Sequence, residues 1–183
     1  VIKAVDENQD LLRISVASAG NDHRLGANEA PPAIISMYLG DELYAVLESI
    51  KDGKPLGEHG AQKMTIGVDV LPPIPKDSTD RNRTSPFAFT GNKFEFRSCG
   101  SSLSISGPNT TLDSIVAYTL KEFADELEKA TDFDAALAEL IKREVTKHWK
   151  VIFNGNGYDS SWIDEAEKRG LLNLRTLPDA MAH

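Results

Sequence analysis

The sequence predicts an α+β fold, with antiparallel strands packed by helices, followed by a helical carboxy-terminal region. Two segments predict the strands: "MTIGVDVL" (64–71) is apolar at alternate positions, and "FAFTGNKFEF" (87–96) has a turn between two aromatic stretches. From about Thr110, apolar residues instead recur three and four positions apart, which is the helical period. We therefore expect a mixed α/β part over residues 1–108 and a helical part over residues 109–183.

The first part of the chain carries further signals for helices and strands. Apolar residues near helical spacing predict a helix over residues 1–19, with Gly20 placed to end it. The apolar run "AIISMYLG" (33–40) predicts a buried strand, and Asp41 is a candidate cap for a helix that Gly53 ends. A proline-rich loop, "PPIPKD", is expected after the alternating strand.

The second part of the chain is predicted to be helical throughout. The segments "LDSIVAYTLKEFADELEKA" and "DFDAALAELIKREVTKHWKVI" both show the helical period. The following "NGNGYD" predicts a turn, because it lacks the lysine and the strand-to-helix setting of a phosphate-binding loop. Ser161 and Asp164 form a candidate capping box for a short helix that Gly170 ends, and "LRTLPDAMAH" closes the sequence without a clear cap.

Composition argues against several classes of function. The formal net charge of −8 over 183 residues disfavours nucleic acid or an anionic membrane as the main partner, because both need a basic face. We find no apolar run long enough to predict a membrane span. Cys99 is the only cysteine, so no internal disulfide can form and we expect a cytoplasmic protein. The chain opens on Val1 without a methionine, and we interpret it as a piece of a longer protein.

Spacing alone predicts the register of a hairpin around Gly91-Asn92. A two-residue turn there pairs Phe87 with Phe96, Ala88 with Glu95 and Phe89 with Phe94, so the four phenylalanines share one face. We expect Phe94 and Phe96 to be buried as members of aromatic cross-strand pairs. Lys93, Glu95 and Arg97 then lie together on the opposite face, where we expect a cleft.

Two interpretations of this charged face stay open. A solvated outer face on a two-stranded edge explains a charge row in most hairpins. Arg81 and Arg83, however, arrive just before the same face and place Glu95 among several cations. A carboxylate that binds a metal, beside cations that bind phosphate oxygens, is the arrangement that a bound nucleotide needs.

A second charged segment is the loop "NDHRLGANEAPP" (21–32), which contains His23, Arg24 and Glu29. On its own this loop is more simply a solvated connection than a site. The four histidines are scattered without paired spacing, so the sequence does not predict a zinc site. His148, beside Trp149 in a predicted helix, is most simply a packing or surface residue.

Taken together, "HRLGANEAPPAI" (23–34) and "DRNRTSPFAFTGNKFEFR" (80–97) resemble the carboxy-terminal catalytic region of glutamine synthetase, in particular the large type III form. The family pattern has an Arg-Leu loop ending in Glu-Ala-Pro, then Asn-Arg-Ser with a second arginine five positions beyond that arginine, then Arg-x-Glu-x-Arg. Two positions depart from it: Ala88 replaces an arginine, and Lys93 keeps the positive charge of an arginine but loses its bidentate fork. The detailed nucleotide contacts are therefore expected to differ.

The resemblance implies ATP-dependent amidation of glutamate by ammonia through γ-glutamyl phosphate. It implies Mg²⁺ or Mn²⁺ as the metal, a homo-oligomeric ring, and no nucleic-acid or membrane partner. It assigns catalytic roles to Glu29, Arg83 and Arg97, substrate binding to Arg24 and Arg97, ATP binding to Arg83 and Lys93, and metal binding to Glu95. Glu29 would belong to a flap that excludes water and helps to take a proton from ammonium.

The same residues leave alternatives for the function. Relatives of glutamine synthetase join glutamate to amines other than ammonia, and the residues that bind glutamate do not select the amine. A non-catalytic alternative is an assembly module, with residues 109–183 forming helical contacts between subunits. As a fragment of such a ligase the chain is expected to be inactive alone. Its lone carboxylate, Glu95, offers too few oxygen ligands to bind Mg²⁺ tightly.

Overall fold

The computed structural model describes residues 1–27, 30–54, 63–64, 74–75 and 84–183. The helices with assigned bounds are α1 (Ile2–Glu7), α2 (Gln9–Val16), α3 (Ala19–Arg24), α4 (Gly40–Asp52), α5 (Ser106–Leu127), α6 (Phe133–Lys147), α7 (Ser161–Lys168) and α8 (Leu177–Ala182), with a 3-10 turn at Trp149–Val151. The strands are β1 (Met37–Tyr38), β2 (Lys63–Met64), β3 (Ile74–Pro75), β4 (Phe87–Phe89) and β5 (Phe94–Phe96). Within these described ranges, no helix is both long enough and apolar enough to cross a membrane.

The sheet that organises the fold is mixed rather than purely antiparallel. Its strand order is β1-β4-β5, in which β1 runs parallel to β4 and β4 runs antiparallel to β5. Ile152 adds a parallel bridge to Met37 on β1. The α+β class is thus confirmed, but the expectation of antiparallel strands is wrong for β1. A parallel neighbour needs a long crossover, and residues between β1 and β4 provide one.

The predicted loop "PPIPKD" is also corrected in part. Ile74–Pro75 forms β3, which pairs antiparallel with β2. Apart from Met64, the predicted alternating strand over residues 64–71 lies outside the described residues.

The β4–β5 hairpin has the predicted register. Phe87 pairs with Phe96, Ala88 with Glu95 and Phe89 with Phe94. Gly91 has φ +96°, a conformation that glycine adopts without a steric penalty and that the first central position of the predicted turn requires. The predicted pairing is therefore confirmed.

The predicted burial of Phe94 and Phe96 is wrong in degree. Phe87 is buried, whereas Phe94 and Phe96 are only half-buried. A groove between the hairpin and the start of α5 leaves part of both rings accessible, with Leu103 and Ile105 on its other side.

Several helix boundaries in the first part of the chain, and the start of α7, differ from the predictions. The first predicted helix breaks at Asn8, and Gly20 lies inside α3 rather than at a helix end. Helix α4 begins at Gly40, so Asp41 lies within the first turn and does not cap it. Helix α7 lacks the predicted capping box: Ser160 precedes its first residue, and the Ser161 hydroxyl and amide both donate to the Asp159 carboxylate, at 2.8 and 2.9 Å.

The helix ends follow the predictions more closely. Gly53 ends α4 with φ +64°. Gly170 follows α7 with φ +71°, and its amide and that of Leu171 bond back to the Glu167 and Ala166 carbonyls, which is a Schellman motif. The unpredicted α8 begins with a capping box formed by Thr176 and Asp179.

The hydrophobic core joins both parts of the chain. It combines residues from α1 and α2, the sheet, α5 and α7, among them Val5, Leu12, Ile34, Met37, Phe87, Ile115, Val151, Ile152 and Trp162. The helical part therefore packs directly on the mixed part. The predicted division at residue 108 describes where the sequence pattern changes, and as a domain boundary it stays a prediction.

Candidate functional site

A cavity of about 530 Å³ lies beside β5, and Glu95 and Arg97 from the charged face of the hairpin line it. Its walls come from α2 and α3, the proline-containing segment 30–35, the residues before β4, β5 with the residues that follow it, and one residue of the helical part. The polar or charged members of its lining are Arg13, Asn21, Ser85, Glu95, Arg97, Ser98, Cys99 and Tyr158. A cavity with cationic side chains and a carboxylate suits a ligand with several anionic oxygens.

Glu95 lines this cavity and lies between two cations. The Lys93 Nζ is 2.8 Å from Glu95 Oε1, and the Arg97 Nη2 and Nε are 3.2 and 3.3 Å from Glu95 Oε2. Hydrogen bonds from Lys93 and Arg97 lower the pKa of the Glu95 carboxyl below its ordinary value. Glu95 therefore carries its negative charge throughout the neutral range, as an ion-pair partner must.

The alternation of β5 explains why these three side chains meet. Residues two apart on a strand share a face, so Lys93, Glu95 and Arg97 follow one another along the outer side of the hairpin. The residue paired with Glu95 across the hairpin is the small, fully buried Ala88. Glu95 and Arg97 line the cavity, whereas Lys93 reaches Glu95 from an exposed position outside the lining.

The remaining predicted site residues are distributed as follows. Arg24 is exposed at the end of α3, and its neighbour Leu25, rather than Arg24 itself, lines the cavity. Glu29 and Arg83 lie outside the described residues. The structure thus brings Glu95 and Arg97 together in one cavity, and the roles assigned to Arg24, Glu29 and Arg83 stay predictions.

Arg13 was not predicted, although it forms a wall of the cavity and is almost fully buried. Its guanidinium donates to the Asn21 Oδ1 at 3.0 Å, to the Leu174 carbonyl at 2.6 Å and to the Asp22 carboxylate. These partners tie α2 to α3 and to the carboxy-terminal tail. Its sequence signal was weak: an arginine that follows buried Leu12 on a helix is usually a solvated residue.

Tyr158 was not predicted as a site residue either. It belongs to the "NGNGYD" turn of the helical part, 61 positions after Arg97 in a region where the sequence shows no catalytic motif. The structure nevertheless places it in the same cavity as Glu95 and Arg97. An aromatic residue in a glycine-containing loop was the only available signal.

The described residues do not by themselves fit a magnesium ion. Glu95 is the only carboxylate among the described residues that line the cavity, and they contain no cluster of three or more metal-binding side chains. Mg²⁺ needs six oxygen ligands in near-octahedral geometry and binds through carboxylates and waters. A metal at Glu95 would therefore require ligands from outside the described part of the chain.

Comparison with known protein families finds a match to the last part of the chain. A family model described as the glutamine synthetase C-terminal domain matches residues 136–183, which include most of α6, the Tyr158 loop, α7 and α8. Glutamine synthetases are ligases, so this segment is similar to a domain of a class of ligases.

Three relatives extend the match over the entire chain. The chain is 50% identical to the type-3 glutamine synthetase of Dictyostelium discoideum, 47% to the glutamine synthetase of Butyrivibrio fibrisolvens and 42% to that of Bacteroides fragilis (strain YCH46). Each alignment covers 100% of this chain and 25 or 26% of the relative. The chain is therefore similar over its whole length to glutamine synthetases, and it spans about a quarter of the length of these relatives.

Proposed function

We propose that this chain is part of a glutamine synthetase, which ligates ammonia to glutamate at the expense of ATP. The observation that carries this proposal is the position of Glu95 and Arg97 side by side on the wall of one cavity. The similarity of the whole chain to three proteins that bear this name supports the same reaction. We propose a cytoplasmic location and a homo-oligomeric ring for the whole protein.

In the proposed reaction the glutamate side-chain carboxylate takes the γ-phosphoryl group of ATP, which forms γ-glutamyl phosphate and ADP. The nitrogen of ammonia then attacks the acyl carbon, the bond from that carbon to the phosphate oxygen breaks, and inorganic phosphate leaves. Negative charge collects on the transferred group in both steps, and preorganised cations beside it stabilise the transition state.

Arg97 is the residue of this chain best placed to stabilise that charge. Its guanidinium is held by Glu95 on one side, so its orientation is fixed before a substrate enters. The planar fork of N–H donors matches a carboxylate or a phosphate. We propose that Arg97 binds the reacting carboxylate and the phosphoryl oxygens, and that Lys93 with Arg83 contacts the phosphates of ATP.

The other members of the proposed site have supporting roles. Arg24 binds the substrate glutamate, and Glu29 accepts the proton that ammonium must lose before its nitrogen can attack. A bound Mg²⁺ or Mn²⁺ would supply charge neutralisation at the phosphates, with Glu95 as one ligand and the others from outside the described residues. Closure of the cavity keeps water away from the acyl phosphate, which water would otherwise hydrolyse.

Substitution of Arg97 tests the proposed function in a full-length protein that contains this chain. Arg97→Lys keeps the charge but loses the fork, so we expect kcat/KM for glutamate-dependent phosphate release to fall by about 100-fold or more. Arg143→Lys is the matched control, because Arg143 makes a bidentate pair with Glu126 on the exposed faces of α6 and α5. The control should retain activity within roughly twofold.

Two results would contradict this proposal. An unchanged activity of Arg97→Lys would favour the alternative in which residues 109–183 serve assembly alone. A full-length protein that releases phosphate with other amines much faster than with ammonia would instead favour a glutamate–amine ligase. The described residues contain no feature that selects an amine, so we propose ammonia on the names of the relatives.

A further inference from the structure

The carboxy-terminal tail of the chain, residues 171–183, is bonded to α2 through a buried arginine. The Arg13 guanidinium donates from Nε to the Leu174 carbonyl at 2.6 Å and from Nη2 to the Arg175 carbonyl at 3.2 Å. Helix α8, which ends the tail, packs on α2 and buries Ala180 almost completely. The tail is therefore docked along α2, with Arg13 at the point of attachment.

An ion pair strengthens this attachment. The Asp22 carboxylate accepts a hydrogen bond from the Arg13 guanidinium, and its Oδ2 accepts another from the amide of Leu177, the first residue of α8, at 2.7 Å. The Arg13 side chain is only 2% exposed, so its charge needs a close partner. The tail, Arg13 and Asp22 consequently depend on one another for their positions.

Arg13 bonds in the other direction to the wall of the cavity beside β5. Its Nη1 donates to the Asn21 Oδ1 at 3.0 Å, and the Asn21 Nδ2 donates to the Cys99 carbonyl at 3.0 Å. All three residues line the cavity, and Cys99 belongs to the segment that follows Glu95 and Arg97. A relay of hydrogen bonds thus connects the tail to the segment that follows β5.

The Asn21 side chain can make this connection in one orientation only. A guanidinium can only donate and a carbonyl can only accept, so the amide must turn its oxygen to Arg13 and its nitrogen to Cys99. Asn21 is 2% exposed, and a buried amide that loses a partner is not compensated by water. The cavity wall therefore keeps its position only while Arg13 keeps its own.

We propose that Arg13 is a positioning residue, through which the docked tail holds the cavity wall at Asn21 and Cys99 in the shape that binds substrate. Arg13 acts through these two residues and needs no contact with the substrate itself. This inference rests on the proposed function and goes beyond it, because it makes substrate binding in the cavity depend on the carboxy-terminal tail.

Kinetics of Arg13→Lys in a full-length protein that contains this chain test this role. Lysine keeps the charge beside Asp22 but lacks the fork that bonds to the tail carbonyls and to Asn21 at once. We therefore expect the KM for glutamate or for ATP to rise about tenfold, with kcat within roughly twofold of the wild type. Loss of folded protein would instead lower the apparent kcat and leave both KM values unchanged, so KM separates positioning from a purely structural role.

Asn21→Asp tests the second step of the relay and carries the test alone if Arg13→Lys does not fold. Aspartate keeps an acceptor for Arg13 but presents an oxygen, rather than a donor, to the Cys99 carbonyl. The same KM should rise. Because both substitutions break one relay, the double variant should raise this KM no further than the larger single effect.

Arg169→Lys is the matched control. The Arg169 guanidinium donates to the Glu165 carboxylate and to the Ile152 carbonyl, each at 2.9 Å, but it lies outside the cavity lining. This control should leave both KM values within roughly twofold. If Arg13→Lys and Asn21→Asp behave like Arg169→Lys, the positioning role is wrong while the proposed function stands. A wild-type protein without glutamate- and ammonia-dependent phosphate release would contradict the proposed function, and with it this inference.

Discussion

In the free protein, the Glu95 carboxylate occupies the cations that a ligand would bind. In the structure it pairs with Lys93 and Arg97, which fixes the Arg97 guanidinium and satisfies the negative charge. A ligand with anionic oxygens would compete with Glu95 for these cations. The Lys93–Glu95 pair is exposed to solvent and therefore weak, so a ligand can replace Glu95 beside Lys93 at little cost.

The lowered pKa of Glu95 gives a prediction about pH. Because the pKa is depressed in the folded chain, the pairing contributes to stability above the ordinary pKa of a glutamate. That contribution disappears as the pH falls through the depressed value. Lys93→Gln removes the largest cause of the depression, so the carboxyl pKa of Glu95 should rise toward its ordinary value in an NMR titration of side-chain carboxyl resonances.

Lys54→Gln serves as the control for this titration. Lys54 forms a comparable exposed pair with Asp52, and its hydrogen bond lowers the pKa of Asp52 instead. This substitution should raise the pKa of Asp52 and leave that of Glu95 unchanged. A Glu95 titration unaffected by Lys93→Gln would show that the ion pair does not form in solution.

The loop over residues 154–158 depends on a single glycine for its position. In Gly157→Ala the new methyl group would lie 2.3 Å from the Thr84 carbonyl oxygen, so either the loop or the backbone at Thr84 must shift. We expect a loss of about 2 kcal/mol in the free energy of unfolding, measured with urea.

Gly20→Ala is the opposite case and tests whether the effect of Gly157→Ala is steric. Gly20 lies inside α3, and a Cβ atom there has no neighbour within 4 Å. Alanine is the better helix former, so this substitution should stabilise the chain by up to about 1 kcal/mol. Equal effects of the two alanine substitutions would contradict the close packing of Gly157 on Thr84.

Helix ends proved easier to predict than helix starts, and the reason is local chemistry. Gly53 and Gly170 adopt positive φ, which few other residues tolerate, so the glycine alone is enough to predict the end of each helix. A helix start can use any of several nearby side chains. At the start of α7, the residue predicted to cap the helix, Ser161, instead donates hydrogen bonds from its amide and its hydroxyl to the Asp159 carboxylate. Sequence alone does not rank such competitors.

In the candidate site, too, the residues placed by local structure were predicted and those placed by long-range packing were not. The β5 face of Glu95 and Arg97 follows from strand period and a two-residue turn, both of which are local. Arg13 and Tyr158 enter the cavity only through contacts with distant segments. Their roles depend on how the helical part packs against the sheet, and no periodicity in one sequence encodes that arrangement.

The two parts of the chain are also joined by a buried polar contact. His148, which is 1% exposed, places its Nδ1 2.7 Å from the Asp6 Oδ2 of α1. Glu144 and Glu7 lie 3.3 and 3.5 Å from the other ring nitrogen, and Lys150 lies 3.6 Å from Asp6. His148 is therefore a packing residue, which was one of its two predicted roles, and the contact spans 142 positions of sequence.

Removal of the His148 ring should destabilise the whole molecule. His148→Ala leaves the buried Asp6 carboxylate without its ring-nitrogen partner and opens a cavity, so we expect a loss of about 3 kcal/mol. Urea unfolding of the 183-residue chain measures this loss. His183→Ala is the control, because His183 is exposed and 3.9 Å from Asp10, and its effect should stay within about 0.5 kcal/mol. Similar effects of both would contradict a structural role for the Asp6 contact.

The parallel bridge between Met37 and Ile152 also sets an order of events during protein synthesis. Leu39 and Asn154, which lie just beyond this bridge and bond to each other, are 115 positions apart. A ribosome adds roughly 5–20 residues per second, so β1 leaves the ribosome on the order of ten seconds before the segment that covers its outer edge. An uncovered strand edge can pair with other chains. Slow codons between residues 110 and 150 should therefore increase aggregation of the nascent protein without changing any residue of the finished one.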